Sequence, residues 1–326
     1  MVDEPARISL GHFPTPLDEL PRLSEALGGP RLYVKRDDMT GLATGGNKTR
    51  KLEYLMADAL QQEADTVITC GAAQSNHARQ TAAAAARCGL RSVLVLGPMA
   101  PPETTSNLLI DDLVGARVRW AGDRDRHVVM EGVADEERAA GRTPYIIPYG
   151  GSNAIGASAY VDAFEELTRQ LLERDLRMDH VVFASSSGGT QAGMVTGARA
   201  VNYQGRVLGI SVDEDREALH QTVLGLTERI TAHLDLRFDI DPDTVRVNDD
   251  YLGKGYGIMG DPEREAIRLV AETEGLLLDP VYTGRAMAGL IDLIRKDTFS
   301  HEEKVLFWHT GGTAGLFAYA EELTRD

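Results

Sequence analysis

The chain has 326 residues, of which 43% are hydrophobic and 26% are charged, so it can bury a sizeable core and shows no sign of disorder. A formal net charge of −16 argues against partners that need a basic face, so we expect it to bind neither nucleic acid nor an anionic membrane surface. It has only two cysteines and no apolar run long enough to cross a membrane. We therefore expect a protein of the reducing cytoplasm.

Short β-branched runs alternate with helical patterns along the chain, which is typical of βαβ units in a parallel sheet. The segments predicted as strands are 66–69, 92–96, 117–120, 180–184, 206–210 and 304–308. The clearest helical patterns are 49–62, 77–87, 157–173 and 262–274. For the last helix we expect Asp261 to be the cap and Pro262 to stand in the first turn.

Two passages rich in glycine and proline, 41–46 and 144–156, interrupt this alternation. The chain between them has the size of a small α/β domain. We therefore predict a small domain over residues 51–155 and a discontinuous large domain over 1–50 and 156–326. The histidines form no metal-binding pattern such as HExxH, so we expect no metal site.

Three segments share one design, in which an apolar strand leads through a turn of small or polar residues into a helix. They cover residues 67–77, 181–193 and 305–315. In open parallel sheets ligands bind beyond the carboxyl ends of the strands, and a helix N-terminus there suits a phosphate. The turn 185–190 is the best phosphate candidate, although it lacks both the P-loop and the GxGxxG pattern. An ordinary tight turn with a Ser/Thr helix cap is the alternative.

A lysine stands in an unusual place in the segment 44–51. Gly45 and Gly46 allow positive φ angles, and Asn47 can cap a helix that has Lys48 in its first turn. The positive end of the helix dipole and desolvation both lower the pKa of an amine there, and a neutral amine is what Schiff-base chemistry requires. The alternative is a solvated surface lysine.

Several motifs together carry a family resemblance. They are KRDD at 35–38, GGNKTRKLE at 45–53, QSNH at 74–77, SGGT at 187–190, DPVYTG at 279–284 and HTGG at 309–312. In this order they resemble the fold-type II pyridoxal-phosphate (PLP) enzymes, in particular the D-cysteine desulfhydrase and 1-aminocyclopropane-1-carboxylate (ACC) deaminase family, from about residue 10 to 319. The resemblance implies an α/β fold of two open, mostly parallel twisted sheets flanked by helices, as in tryptophan synthase β. It also implies a large and a small domain with PLP in the cleft, and a homodimer.

The resemblance also implies roles for individual residues. Lys48 would carry PLP on its amine. The residues that would hold the phosphate are Lys51, Ser186, Ser187, Gly188, Gly189 and Thr190. Asn76 would hydrogen-bond the ring hydroxyl, and Thr310 would meet the pyridine nitrogen. Ser75, with the backbone at Asn76 and His77, would receive the carboxylate of a small amino-acid substrate at a helix N-terminus.

Tyr282, and with less support Tyr256, would lie over the ring or beside the reacting carbon, although each could instead belong to the core or the rim. The candidate catalytic residues are therefore Lys48, Ser75, Tyr282 and Tyr256. In the implied reaction the freed Lys48 amine removes the α-proton, the β-substituent leaves, and pyruvate and ammonia are released. A neutral threonine facing the pyridine nitrogen suits such an elimination.

Three substrates compete within the family. The DPVYTG motif favours D-cysteine, with release of sulfide, and L-cysteate, with release of sulfite, is the next alternative. In ACC deaminases the pattern of this motif resembles DPVYEG, with a glutamate where this chain has Thr283. Thr283, and likewise Thr310 in HTGG, counts against ACC. Outside the family, a non-catalytic α/β protein that binds a small anion stays open. A serine hydrolase is disfavoured because no GxSxG elbow exists.

Overall fold

The computed structural model describes residues 6–101 and 103–324. The strands in those residues are β1 (Leu17–Glu19), β2 (Arg31–Arg36), β3 (Thr66–Ala72), β4 (Arg91–Gly97), β5 (Arg117–Trp120), β6 (Pro144–Ile146), β7 (His180–Ser185), β8 (Arg206–Ser211), β9 (Arg246–Asn248) and β10 (Lys304–His309). The helices are α1 (Pro21–Leu27), α2 (Lys48–Gln61), α3 (Asn76–Arg87), α4 (Ser106–Leu113), α5 (Arg126–Ala139), α6 (Ala154–Glu173), α7 (Gly189–Ala200), α8 (Arg216–His233), α9 (Asp261–Glu274), α10 (Thr283–Arg295), α11 (Thr313–Leu316) and α12 (Ala320–Thr324). Strands and helices alternate along most of this length, as the sequence predicts.

The strands of the described residues form two separate sheets. One has the order β1-β2-β10-β7-β8-β9, and all its neighbours pair in parallel except β1 and β2. The other has the order β5-β4-β3-β6 and is parallel throughout. The predicted fold class, with two open and mostly parallel sheets flanked by helices, is confirmed. All six predicted strands are present, and most are longer than predicted by one to three residues.

Strand β2 was not among the predicted strands, and the reason is its charge. Arg31, Lys35 and Arg36 give the segment a polar surface in the sequence. In the fold Lys35 is fully buried, because its amine donates to the carboxylate of Glu166 at 2.5 Å and to the Gln170 side chain at 2.6 Å. A buried charge of this kind is tolerated only with such partners, which lie more than 130 positions away in the sequence.

The predicted start of α9 is wrong by one residue. Gly260 occupies the cap position, and Asp261 is the first residue of the helix. The Glu263 carboxylate accepts from the Gly260 N–H at 2.9 Å, which is the N3-to-cap half of a capping box and differs from the bond expected of Asp261. Asp261 pairs instead with Arg264 at 2.5 Å.

A buried ionic cluster ties the start of α2 to the large sheet. The Arg50 guanidinium donates to both oxygens of Asp37, which directly follows β2, and to both oxygens of Glu166 on α6. Asp37 also accepts from the Trp308 indole N–H of β10 at 2.8 Å. This cluster holds the first turn of α2, and Lys48 within it, against the carboxyl end of the six-stranded sheet.

The four-stranded sheet is built from residues 66–146, within the stretch predicted as a small domain. The two predicted boundaries, after residues 50 and 155, fall in the first turns of α2 and α6. No helix of the described residues is long and apolar enough to cross a membrane.

Candidate active site

A cleft with about 590 Å³ of empty space lies where β3, β7 and β10 deliver their carboxyl ends. The predicted site residues that line it are Lys48, Ser75, Asn76, His77, Ser186, Ser187, Gly188, Thr190, Tyr282 and Thr310. Lys51, Gly189 and Tyr256 do not line it, but each contacts a residue that does or packs directly behind it. The topology therefore brings the residues of the separate motifs into one place.

Lys48 stands in the first turn of α2, as predicted, but Asn47 does not cap the helix with its side chain. The Asn47 amide instead donates to Thr190 Oγ1 at 3.1 Å, and its oxygen accepts from the Lys48 amine at 3.0 Å. The Thr49 N–H is satisfied by the Gln80 side-chain oxygen at 2.8 Å. The predicted capping bond is therefore wrong, because a residue from α3 supplies the acceptor.

The surroundings of Lys48 favour its neutral form. Burial and then the positive charge of Arg79 lower the pKa of Lys48 to about 8, against an opposing effect of Asp279. At neutral pH an amine with this pKa is deprotonated in roughly a tenth of the molecules, far more than an ordinary lysine, and the neutral form is what a nucleophilic or proton-accepting lysine requires. Gly45 and Gly46 adopt φ angles of 73° and 130°, so the loop before Lys48 takes the backbone form that the sequence predicts.

The N-terminus of α3 faces the same cleft. Ser75 is its cap, and the Ser75 oxygen accepts from the Ala78 N–H at 3.1 Å. The next residues along the helix leave free N–H groups that suit a carboxylate. His77 packs behind this turn, where burial and the charges of Lys48 and Lys51 hold its pKa well below the usual value.

The His77 ring is therefore neutral, and its hydrogen bonds define which nitrogen carries the proton. The Thr69 hydroxyl donates to a backbone oxygen, that of Ile147, at 2.8 Å. It lies 2.8 Å from His77 Nε2, and because its only proton is already used, it accepts from that nitrogen. His77 thus contributes its backbone N–H, rather than a charge, to this end of the cleft.

The N-terminus of α7 forms the opposite wall. Gly188 has a φ of 75°, which opens the helix with a left-handed residue. A Cβ added to Gly189 would lie 2.5 Å from Ser152 Oγ and 2.9 Å from the Lys51 amine. The Ser187 and Ser152 hydroxyls lie 2.8 Å apart. This end of the cleft is therefore a compact cradle of N–H, hydroxyl and amine donors.

Lys51 is buried behind that cradle without a counter-ion. Its amine donates to Gly150 O at 3.0 Å and to Ser152 Oγ at 3.3 Å. Within residues 6–101 and 103–324 no carboxylate lies at ion-pair distance from it. Burial and the nearby Lys48 charge lower its pKa well below the usual value. A buried amine in this state is a place for an anion.

Two tyrosines meet beside the cleft, which Tyr282 lines and Tyr256 does not. The hydroxyls of Tyr256 and Tyr282 are in hydrogen-bond contact, and their rings are edge to face with centroids 6.0 Å apart. Burial raises the pKa of both well above the usual value, so both stay protonated. The loop of Tyr256 is held by Arg285, whose guanidinium donates to Gly255 O at 3.1 Å and Ile258 O at 2.7 Å.

The DPVYTG motif is organised by its aspartate. The Asp279 carboxylate accepts from the N–H groups of Val281, Tyr282 and Thr283 at 2.9–3.0 Å. Thr283 is fully buried, and its hydroxyl donates to Asp279 at 2.8 Å, so it does not line the cleft. Thr310 lines the cleft, and its backbone oxygen accepts from Asn47 N at 2.9 Å.

Three residues at or beside the cleft are not predicted as site residues from the sequence. Tyr149 and Gly150 line the cleft, and Ser152 contacts both Ser187 and Lys51. All lie in the passage 144–156, whose glycines and prolines predict a domain boundary. The positive φ angles of Gly150 and Gly151, 66° and 60°, reveal a turn that approaches the cradle closely. Two consecutive glycines beside a serine were the available signal.

Comparison with known proteins defines the class. Residues 8–311 match the family described as pyridoxal-phosphate dependent enzyme. This match covers most of the chain, so the chain belongs to the family of PLP-dependent enzymes, and PLP is its cofactor.

Individual relatives narrow the comparison. The chain is 43% identical over 319 residues to the D-cysteine desulfhydrase of Salmonella newport (strain SL254), covering 96% of both proteins, and the Salmonella typhi protein of that name matches equally. A solved structure described as an ACC deaminase homologue has a TM-score of 0.90 and 40% identity, covering 98% of this chain and 95% of that one. Threonine deaminase isoform 2 from Solanum lycopersicum is 18% identical with a TM-score of 0.66, which supports the fold alone.

The residues of the cleft fit this cofactor. PLP brings an aldehyde and a phosphate, and the site offers an amine of lowered pKa, Lys48, and a cradle with a buried amine that has no counter-ion, Lys51. The two lie one helical turn apart on α2, with Lys51 directed to the α7 cradle. A phosphate dianion there would supply a counter-charge to a protonated Lys51, for which the described residues provide no carboxylate.

Proposed function

We propose that the protein is a PLP-dependent α,β-elimination lyase that acts on D-cysteine and releases sulfide, pyruvate and ammonia. The observation that carries the reaction class is the position of Lys48, whose amine lies between the α3 N-terminus and the α7 cradle with its pKa lowered to about 8. The identity of 43% to D-cysteine desulfhydrases over 96% of the chain supports the substrate.

We assign the site residues as the sequence predicts. Lys48 would bind PLP, while Lys51 and the turn from Ser186 to Thr190 would hold its phosphate. PLP, when bound, withdraws electrons from the α-carbon of an amino acid. Ser75 and the N–H groups of the first turn of α3 would receive the substrate carboxylate, which orients the α-carbon towards the Lys48 amine.

The proton transfers would then fall to residues with suitable pKa values. The Lys48 amine, neutral in part near pH 8, takes the α-proton. Tyr282 stays protonated and is a hydrogen-bond donor for the departing sulfur, with Tyr256 as its neighbour. The carbon–sulfur bond would break as the electron pair of the broken C–H bond moves to form the α,β double bond, and water would then hydrolyse the released aminoacrylate to pyruvate and ammonia.

The charge of the cleft favours a thiol over a sulfonate. Lys48 is the one lysine or arginine among the cleft-lining residues that the structure describes, and it is committed to the cofactor. His77 is neutral. A sulfonate buried there would lack a cation, and such burial is costly. L-Cysteate is therefore the weaker candidate.

ACC remains a second candidate because of the 40% identical ACC deaminase homologue. Thr283 counts against ACC, because the ACC deaminase pattern resembles DPVYEG and has a glutamate at this position. The Thr283 side chain is locked into the Asp279 turn and supplies no acid to the cleft.

The test uses the purified holoprotein and three substrates. We expect visible absorbance from bound PLP, and sulfide with pyruvate from D-cysteine. Sulfite from L-cysteate, or a 2-oxo acid from ACC at a higher kcat/KM, would overturn the substrate assignment. If the protein binds no PLP and turns over none of the three substrates, the non-catalytic anion-binding protein would become the better interpretation.

A matched pair of variants tests the role of Lys48. Lys48→Ala should lose the covalent cofactor and its turnover. Lys296→Ala, which removes a surface lysine paired with Asp292, should retain both. Equal activity of the two variants would contradict the assignment.

We also infer a homodimer in the cytoplasm and a small domain over residues 51–155. The family resemblance supports the dimer, and Cys70 and Cys88, both free, are consistent with a reducing compartment. Light scattering on the eluted protein measures the oligomer, and a monomeric mass would contradict it. Calorimetric unfolding tests the domain, because a separately stable unit over residues 51–155 should give a second transition, and a single transition would contradict it.

A further inference from the structure

Behind Asn76 lies a buried arginine that the proposed reaction does not use. Arg79 is fully buried on α3, one turn beyond Asn76. Its guanidinium donates to Asn76 Oδ1 at 3.0 Å, to Asn107 Oδ1 at 2.8 Å and to Gly45 O at 2.7 Å. A fully buried arginine is uncommon, and these three acceptors come from three parts of the chain around the cleft.

These contacts fix how the Asn76 amide is turned. A guanidinium only donates, so the atom of Asn76 that faces Arg79 must be its oxygen. The same oxygen accepts from the Asn107 amide nitrogen at 3.1 Å. Rotation of the Asn76 amide by 180° would place its NH₂ group against the N–H donors of Arg79 and Asn107, where it could form no hydrogen bond. Both donors therefore turn the NH₂ group away from themselves.

Asn107 is itself oriented by the same arginine. Its oxygen accepts from Arg79, so its amide nitrogen is left to donate to Asn76 and to Gln74 O at 2.9 Å. Its backbone N–H donates to the Gln74 side-chain oxygen at 2.9 Å. Helix α4 is thereby attached to the turn that begins α3, and the fully buried Asn107 has its donors satisfied.

Arg79 has a carboxyl group close by. Asp111, one turn beyond Asn107 on α4, is buried, and neither of its oxygens has a hydrogen-bond partner among the described residues. Burial raises the pKa of Asp111 and Arg79 opposes that rise, without a hydrogen bond between the two side chains. The three acceptors of Arg79 are thus neutral oxygens. Through them the planar guanidinium links α3, α4 and the loop before Lys48.

We propose that Arg79, together with Asn107, is a positioning pair that turns the Asn76 amide so that its NH₂ group donates to the ring hydroxyl oxygen of PLP. Asn76 lines the cleft, and its amide nitrogen has no hydrogen-bond partner in the part of the chain that the structure describes. The inference rests on the role of Asn76 in the proposed function.

The test measures binding of pyridoxine 5′-phosphate to the full-length protein freed of PLP, by calorimetry. This compound carries the ring hydroxyl and the phosphate, but an alcohol replaces the aldehyde, so it cannot link to Lys48. Asn76→Ala and Arg79→Met should each weaken its binding about tenfold, the value of one hydrogen bond. The double variant should bind no more weakly than Asn76→Ala, because Arg79 acts through Asn76.

Independent, multiplied losses in the double variant, about hundredfold, would overturn the proposal. Unchanged affinity in Arg79→Met or in Asn76→Ala would also overturn it. If Arg79→Met does not fold, Asn107→Ala provides the same cycle, since it keeps the arginine and removes one donor to Asn76. Arg142→Met, which removes an arginine that contacts Glu137 and does not line the cleft, is the control and should bind normally.

The substrate assignment is judged separately. Binding of pyridoxine 5′-phosphate involves no amino acid, so a failed D-cysteine assay leaves the result for Arg79 intact. Conversely, the wild-type protein could release sulfide from D-cysteine while the double variant shows additive losses of binding free energy. That result would contradict the positioning pair and leave the substrate assignment intact.

Discussion

At the scale of single residues, the site is shaped by charges that are buried without full compensation. Lys48, Lys51 and Arg79 bring three basic groups into one region. Burial lowers the pKa of all three, Arg79 further lowers that of Lys48, and Lys48 further lowers that of Lys51. Asp111 is the reverse case, a carboxyl that burial makes hard to ionise. Such perturbed groups cluster at functional sites, and here they surround the cleft.

The first prediction concerns the pKa of Lys48. Because its pKa is lowered to about 8, covalent attachment of PLP to the cofactor-free protein should accelerate with pH and level off above that value. Rapid-mixing measurements of the visible absorbance between pH 6 and 10.5 check this. A rate that keeps rising to pH 10, as for a solvated lysine, would be inconsistent with the buried amine.

The second prediction concerns Asp111 and stability. Burial raises the pKa of Asp111 from 3.8 to about 7, with Arg79 opposing. Between these values the folded chain holds a proton that the unfolded chain has lost, so the free energy of unfolding falls as pH rises. The full effect is about 4 kcal/mol. Urea unfolding from pH 4 to 8 should show this slope in the wild type and lack it in Asp111→Asn.

The exposed neighbour on the same helix is the control for that slope. Asp112→Asn should retain the pH dependence of the wild type, because Asp112 is exposed. Parallel curves for the wild type and Asp111→Asn would show that Asp111 does not titrate in this range.

At the scale of elements, function depends on helices that start at the carboxyl ends of parallel strands. Helix α3 follows β3, α7 follows β7 and α11 follows β10, and the cleft collects these starts. Because parallel strands end at one edge of a sheet, the turns after the neighbouring strands β7 and β10 converge, whereas the turn after β3 reaches the cleft from the four-stranded sheet. Helix α2 differs, since its start is held by the ionic cluster of Arg50 rather than by a preceding strand.

The third prediction tests the start of α7. Gly189→Ala places a Cβ within 2.5 Å of Ser152 Oγ and 2.9 Å of the Lys51 amine, so the cradle must open. We expect the affinity for PLP to fall about tenfold or more, because a phosphate loses charged hydrogen bonds there. Equilibrium dialysis of the holoprotein measures it.

A glycine elsewhere provides the comparison. Gly132 lies within α5, and a Cβ there meets nothing within 4 Å. Gly132→Ala should raise the free energy of unfolding by about 0.5–1 kcal/mol and leave PLP affinity unchanged. If Gly189→Ala behaves like Gly132→Ala, the cradle does not hold the phosphate.

At the scale of the whole molecule, the buried ionic cluster joins the sheet that carries HTGG to the helix that carries Lys48. Asp37 is fully buried and accepts from Arg50, Tyr160 and Trp308. Arg50 keeps the pKa of Asp37 below its usual value despite burial, so the carboxylate is ionised. Removing one member leaves the others charged and incompletely paired.

The fourth prediction follows from that cluster. Asp37→Ala should lower the free energy of unfolding by about 3–5 kcal/mol, because it leaves Arg50 with one carboxylate where it had two. Glu136→Gln, which breaks an exposed pair with Arg119, should change it by no more than about 0.5 kcal/mol. Urea unfolding measures both. Similar small losses would mean that the buried cluster contributes little.

From the sequence one can predict the fold class, six of the strands and most of the residues that line the cleft. Its strand–turn–helix segments carry that information locally, because each strand, its polar turn and the start of its helix are contiguous. Lys48 could be identified in the same way, from Gly45-Gly46-Asn47 before it and from the family resemblance.

Features that depend on distant partners become visible in the folded chain alone. Strand β2 reads as polar until Glu166 pairs with Lys35, and the cap of α2 comes from Gln80 rather than Asn47. Likewise the Tyr149–Ser152 turn joins the cradle only when α6 packs against α2 and α7. Burial and pairing arise between segments far apart in the chain, so a local pattern cannot encode them.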